Sequence, residues 1–189
     1  AGELPAPVNI IQERTIGPSL GSDSINSGKK AMIIGILLVM AFMIVYYKGA
    51  GLLANFAMFL NLAIVISVLV LIGASLTLPG IAGLILTIGM TVDANVIVFE
   101  RIREELSLGK SIKSAIRSGY ERAFVTIFDA NLTTLIAAFV LAWIGSGPIR
   151  GFSITLSIGI LCSMFTAIFV TKTIFIILSD MDFFKKMSI

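Results

Sequence analysis

Five long apolar runs, each near the ~20 residues that a helix needs to cross a bilayer, dominate the chain. They cover 31–47, 55–76, 81–99, 123–144 and 152–178. Polar punctuation separates them. Lys29 and Lys30 open the first run, and Tyr46, Tyr47 and Lys48 close it. Thr77-Leu78-Pro79-Gly80 is a turn signal between the second and third. The fourth ends at Trp143, followed by Gly145-Ser146-Gly147-Pro148, and Lys172 lies near enough to the end of the fifth to snorkel. The pattern predicts an all-α polytopic membrane protein with five transmembrane helices. Residues 1–30 are polar and contain Pro and Gly, and 179–189 form a short tail.

The charged stretch 101–122 predicts a helical connector. Arg101/Glu105 and Arg117/Glu121 are at i,i+4 spacing, and Ile102/Leu106 and Ile112/Ile116 each share a face. Gly109 is expected to divide the connector, which reads as a solvated amphipathic surface element. With five spans the termini lie on opposite sides. One side then holds Lys48, Arg101, Arg103, Lys110, Lys113, Arg117, Arg122, Lys172, Lys185 and Lys186. The other holds only Arg14, Lys29, Lys30 and Arg150. The excess of cations assigns the first side to the cytoplasm and the N-terminal segment to the outside.

Composition agrees with the pattern. The 189 residues are 57% hydrophobic and only 13% charged, against ~25% charged in an ordinary soluble domain. The net charge of +3 reflects helix-end cations and gives no reason to invoke nucleic acid. With no His and one Cys, Cys162 in an apolar run, a disulfide framework is excluded and neither a cofactor nor a metal site is expected. No nucleophile with a base and no phosphate-binding loop is present, so an enzyme is not expected. The chain begins with Ala and carries no signal peptide at its start, and it reads as the C-terminal part of something longer or a processed piece.

Between Lys48 and Glu100 the one charged side chain is Asp93. An ionised Asp near the bilayer centre costs roughly 2.5–3.5 kcal/mol on insertion scales. An anchor would have Leu there, so a proton or ion pathway is the functional reading; the bland one is an Asp–Asn hydrogen bond gluing helices. Asp93-Ala94-Asn95 recurs as Asp129-Ala130-Asn131 in the fourth span, where Asp129 is the sole charge between Arg122 and Arg150. Each aspartate is seven residues from a charged helix end, Glu100 or Arg122, or ~10 Å. Two antiparallel helices would thus bring the same tripeptide to similar depth. Asp93, Asn95, Asp129 and Asn131, with Thr91, Thr126, Thr133 and Thr134, are expected to form a polar seam. Proton and sodium both suit it. Glu100 and Arg101 read as interfacial charges, Glu100 pairing with a nearby Arg. Gly83, Gly89, Ser157, Gly159 and Ser163 are candidates for close helix approach, and the Met residues for filler.

Thr91-Val92-Asp93-Ala94-Asn95 through Leu106 resembles a helix signature of the SecD/SecF family of protein-export membrane subunits, on its SecD side. Leu4-Pro5-Ala6-Pro7 through Gly21, Phe128 through Thr134, and Gly147 through Phe152 resemble it too, so the likeness covers nearly the whole chain. It implies the second to sixth spans of a six-span half-transporter of the resistance-nodulation-division (RND) type. Residues 1–30 would be the end of a periplasmic domain and its linker into the membrane. The implied partners are SecF, the SecYEG channel, YajC and YidC, and the unfolded preprotein, all in the cytoplasmic membrane of a bacterium; a second copy of the isolated fragment is a further candidate. The implied work is the use of the proton-motive force to assist export, with Asp93 matching the family's proton-carrying aspartate. The family's responding transmembrane Arg lies in SecF, and no Arg or Lys lies in the interior of a span here. The alternatives are a non-conducting assembly subunit and an RND-type exporter of small molecules.

Overall fold

Lipid offers no hydrogen bonds, so an apolar run in a bilayer must satisfy its own backbone, and helix is the form that does so within one segment. The computed structural model describes residues 18–74 and 76–180. The expected linker up to residue 17 and the tail from residue 181 lie outside the described residues. The helices are α1 (Pro18–Leu71), α2 (Leu78–Ser107), α3 (Ile112–Ile144), α4 (Gly147–Phe165) and α5 (Thr171–Asp180). Thr166–Val170, between the last two, is a π-helical turn. There the Thr171 hydroxyl donates to the carbonyls of Thr166 and Ala167, so the chain stays hydrogen-bonded through the wider turn.

Four stretches of the described residues are long and apolar enough to cross a membrane, against five expected. The difference lies in α1, which is two helices joined at Lys48 (φ 48°, ψ −116°). The Asn55 side-chain amide donates to the Met40 carbonyl at 3.3 Å. In an unbroken helix those residues would be about 22 Å apart. The chain therefore folds back on itself, and 18–47 and 49–71 run antiparallel as a hairpin. Gly51 makes this turn feasible: a Cβ there would lie 1.9 Å from the Met43 carbonyl oxygen.

The other boundaries follow local chemistry. Thr77 caps α2, its hydroxyl accepting from the Gly80 amide at 3.2 Å, and Pro79 stands in the first turn where its missing N–H is harmless. The turn signal before the third span is thus a helix start. Gly109 (φ 80°) turns the chain between α2 and α3, and Gly147 (φ 50°), followed by Pro148, opens α4. The 101–122 stretch is no separate connector; it is the last turns of α2 and the first of α3.

The bundle buries many small polar residues among its apolar core and exposes large apolar side chains. Asn61, Thr87, Thr91, Asn95, Ser153, Ser163 and Thr166 are all buried, while Leu37, Leu38, Val70, Leu71, Phe139, Trp143 and Ile144 are exposed. This arrangement belongs to a protein solvated by lipid, where small residues set how close helices come. At the centre, α2 packs against α1, α3 and α4. Gly159 of α4 lies so near Thr87 that a Cβ would sit 2.2 Å from its hydroxyl, and Gly119 of α3 meets Ile102 in the same way. Gly83 faces Phe152 and Thr155. Gly89 has open space beside it and mediates no close approach, contrary to expectation.

At one end Phe99, Phe175, Tyr120, Met43, Tyr47, Ile102 and Ile116 form one buried cluster. The hairpin turn, the end of α2, the start of α3 and α5 therefore meet at the end that carries most of the cations. At the other end Thr77 packs against Gly151.

Valine at Gly159 or Gly51 should lower the midpoint of thermal unfolding of the purified protein, by about 1–3 kcal/mol of overpacking or more. Gly89→Ala should leave it within error. Equal tolerance at all three sites would contradict the packing described.

Candidate functional site

Residues two apart on a helix differ by about 200° in direction, so Asp and Asn of one Asp-Ala-Asn tripeptide cannot share a face. The structure sorts them accordingly. Asp93 is exposed on α2, on the wall of a groove of about 230 Å³ between α2 and α3. Met90, Ala94, Ile97, Ile127, Ala130, Asn131 and Thr134 complete its lining. Asn131 is buried, its amide donating to the Ile127 carbonyl at 2.7 Å, and its Oδ1 has no partner among the described residues. The groove thus joins Asp93 of the first tripeptide to Asn131 of the second.

The other two residues point elsewhere. Asn95 is fully buried on the inner side of α2, where its amide donates to the Thr91 carbonyl at 2.9 Å. Asp129 is exposed and does not line the groove. The predicted seam of four is therefore a pair, Asp93 with Asn131. Of the threonines, Thr134 lines the groove, while Thr126 and Thr133 are exposed and the Thr133 hydroxyl donates to the Asp129 carbonyl at 3.0 Å.

Thr91 belongs to a second polar chain that the sequence reading missed. Its hydroxyl accepts from the Asn61 amide at 2.7 Å and donates to the Thr87 carbonyl at 2.8 Å. Asn61 comes from the second arm of the hairpin, so this chain ties α1 to α2 through the buried interior. The signal lay in Asn61 itself, a lone amide in an apolar run, which lipid will not solvate. The Oδ1 atoms of Asn61 and Asn95, both attached to Thr91, have no partner among the described residues.

Depth also changes. Because α2 continues to Ser107, Asp93 lies about 21 Å from its helix end, and Asp129 lies about 25 Å into α3. The extra turns form a charged cap. Glu100 accepts from the Tyr47 hydroxyl at 3.0 Å and from Arg103 at 2.9 Å. The Arg103 guanidinium stands 5.6 Å from the ring centres of Tyr46 and Tyr47. Arg101 pairs with Glu104 at 2.8 Å and not with Glu105, correcting the spacing-based expectation, while Arg117 does pair with Glu121 at 3.3 Å. Glu105 is 1% exposed and is held by Lys110, across the Gly109 turn, and by Arg122 of α3 at 3.0 Å. The cap pins α2 to the hairpin and to α3 near the interface, leaving the groove beside Asp93 deeper in the membrane.

A family model described as the C-terminal region of the protein export membrane proteins SecD/SecF matches residues 3–181. The chain belongs to the SecD/SecF family. Protein translocase subunit SecD of Magnetococcus marinus is 60% identical over 174 residues, covering 92% of this chain and 33% of that protein. Its counterpart in Desulfurispirillum indicum is 56% identical over 189 residues, covering 100% of this chain and 37% of that protein. The chain thus spans about a third of the length of these curated relatives. Among solved structures, SecDF of Thermus thermophilus, titled a translocon-associated membrane protein, matches with a TM-score of 0.86 at 41% identity. The match covers 89% of this chain and 24% of that one. A structure of SecDF in a super-membrane-facing form matches with a TM-score of 0.83 at 40% identity, covering 95% of this chain and 25% of that one. Fold and family agree with the resemblance in the Asp-Ala-Asn motif, and the chain is a multi-pass membrane protein of that family.

Glu105→Gln removes the charge that Lys110 and Arg122 share and leaves two cations facing each other, so it should lower the unfolding midpoint in detergent by several degrees. Glu104→Gln, which breaks only an exposed pair, should change it little. Equal effects would contradict the part assigned to Glu105.

Proposed function

We propose that this chain is the membrane portion of a SecD subunit that, together with SecF and the SecYEG translocon, uses the proton-motive force to help move unfolded preproteins across a bacterial cytoplasmic membrane. YajC and YidC are further partners in this reading. The charged end of the bundle faces the cytoplasm by the positive-inside rule, and the N-terminal segment faces the periplasm. The chain serves as a transporter subunit rather than an enzyme.

One observation carries the proposal. Asp93 stands in an open groove of the spanning region, and its carboxylate has no hydrogen bond or ion pair among the described residues. A carboxylate so placed is satisfied by protonation or by a cation from another chain. No Arg or Lys lies in the interior of a span of this chain. The cation therefore belongs to a partner helix laid along α2 and α3, the place for SecF. Asn131, with its free carbonyl oxygen directed by its own amide bond to Ile127, supports the protonated form as an acceptor. Asp93 alternates between a proton and the partner's cation, and the groove opens and closes around it. Moving one charge through 100 mV supplies ~2.3 kcal/mol, so a few protons suffice for a helix rearrangement. Asp129, off the groove, has a supporting part.

The test is preprotein export into vesicles under an imposed proton gradient, with the full-length protein paired with SecF. Asp93→Asn should abolish the gradient-dependent share while the complex still assembles, and Asp129→Asn should keep most of it. Full gradient-dependent export by Asp93→Asn would overturn the proposal and leave an assembly subunit. Replacement of the proton gradient by a sodium gradient with no loss of export would reassign the ion.

A further inference from the structure

Another groove lies away from Asp93. It occupies about 420 Å³ between the first turns of α3 and the end of the last span. Lys113, Arg117 and Lys172 line it with one carboxylate, Glu121, and its apolar side is Ile116 and Ile176. Lys172 is the only charged residue between Arg150 and Asp180, and it is half-buried. Near the end of its span Lys172 can bring its ammonium to the interface, where an anionic group is a favourable neighbour. Glu121 lines the same groove but pairs with Arg117, and no carboxylate stands within ion-pair distance of Lys172 among the described residues.

A second groove of about 200 Å³ shares Lys172 and Glu121 and continues past Tyr120 and Ile168 to Phe124. Phe124 is 44% exposed on the membrane-facing surface of α3. The two together form a cationic mouth at the charged end of the bundle with an apolar track leading from it toward lipid. A soluble anion would use the mouth alone. A molecule with a phosphate joined to acyl chains would use both, the phosphate beside Lys172 and Arg117 and the chains along Ile176, Ile168 and Phe124. Arg suits a phosphate geometrically, and Lys suits it as a point charge.

We propose that this groove binds the phosphodiester headgroup of an anionic phospholipid from the leaflet at the charged end of the bundle. Such a lipid would bridge α3 to α5, two elements that also meet in the buried cluster containing Tyr120 and Phe175. The site is independent of Asp93 and of the direction of proton flow.

The test uses the full-length protein, purified with SecF, stripped of loosely held lipid and titrated in native mass spectrometry. The probes are phosphatidylglycerol and phosphatidylcholine with identical chains, and inorganic phosphate. Phosphatidylglycerol should be retained over phosphatidylcholine, and Lys172→Gln or Arg117→Gln should each weaken that retention by about fivefold, in line with the cost of losing one interfacial cation. Lys172→Arg should restore it, showing that charge rather than folding is read. Equal retention of the two lipids, or phosphatidylglycerol binding unchanged in Lys172→Gln, would overturn the site. Displacement of the lipid by millimolar inorganic phosphate would reassign it to a soluble anion and overturn the lipid assignment.

Discussion

Lipid supplies neither hydrogen bonds nor counter-charge, and every feature of this bundle follows from how its polar groups meet that constraint. Most meet it inward and locally. Thr87, Thr91, Thr155, Asn95 and Asn131 each donate to a carbonyl one turn back along their own helix. Asn61 reaches across to Thr91. Asp93 does neither. It looks outward into an open groove between α2 and α3. On the proposed function it is one half of a site that a partner helix completes.

The remainder of the fold holds that half site in position. Helix α2 runs through the middle, and glycines on its neighbours bring their backbones against it at Thr87 and Ile102. Its interfacial end is fixed by Glu100 to Tyr47 and by Glu105 to Lys110 and Arg122. These ties converge on one end of the bundle. At the opposite end Thr77 packs against Gly151, and Gly83 faces Phe152 and Thr155, so α2 is held against α4 there as well. On the proposed orientation that end faces the periplasm.

Hydropathy alone located the spans, because a run of apolar residues long enough to cross a bilayer has few other uses. It could not show that the chain reverses at the single residue Lys48, leaving two helices packed as a hairpin, nor that α2 and α3 extend well beyond the apolar runs. The Asp-Ala-Asn repeat was legible as a functional signature, but its members were grouped as one seam although the helical period separates them. Asp93 and Asn131 share a groove; Asn95 and Asp129 face away from it. Arg101 chose Glu104 over Glu105 because Glu105 is drawn inward to Lys110 and Arg122, a tertiary preference that i,i+4 spacing cannot express. Asn61, the interior tie between α1 and α2, was visible as a lone amide yet had no repeat to draw notice.

The central claim is that Asp93 gains and loses a proton within the membrane. Infrared difference spectroscopy on the full-length protein with SecF in lipid membranes, across a pH step, reads this directly. The account predicts that the protonated carboxylic-acid signal that grows as the pH falls contains a component lost in Asp93→Asn. Identical difference spectra for the wild type and Asp93→Asn would contradict it.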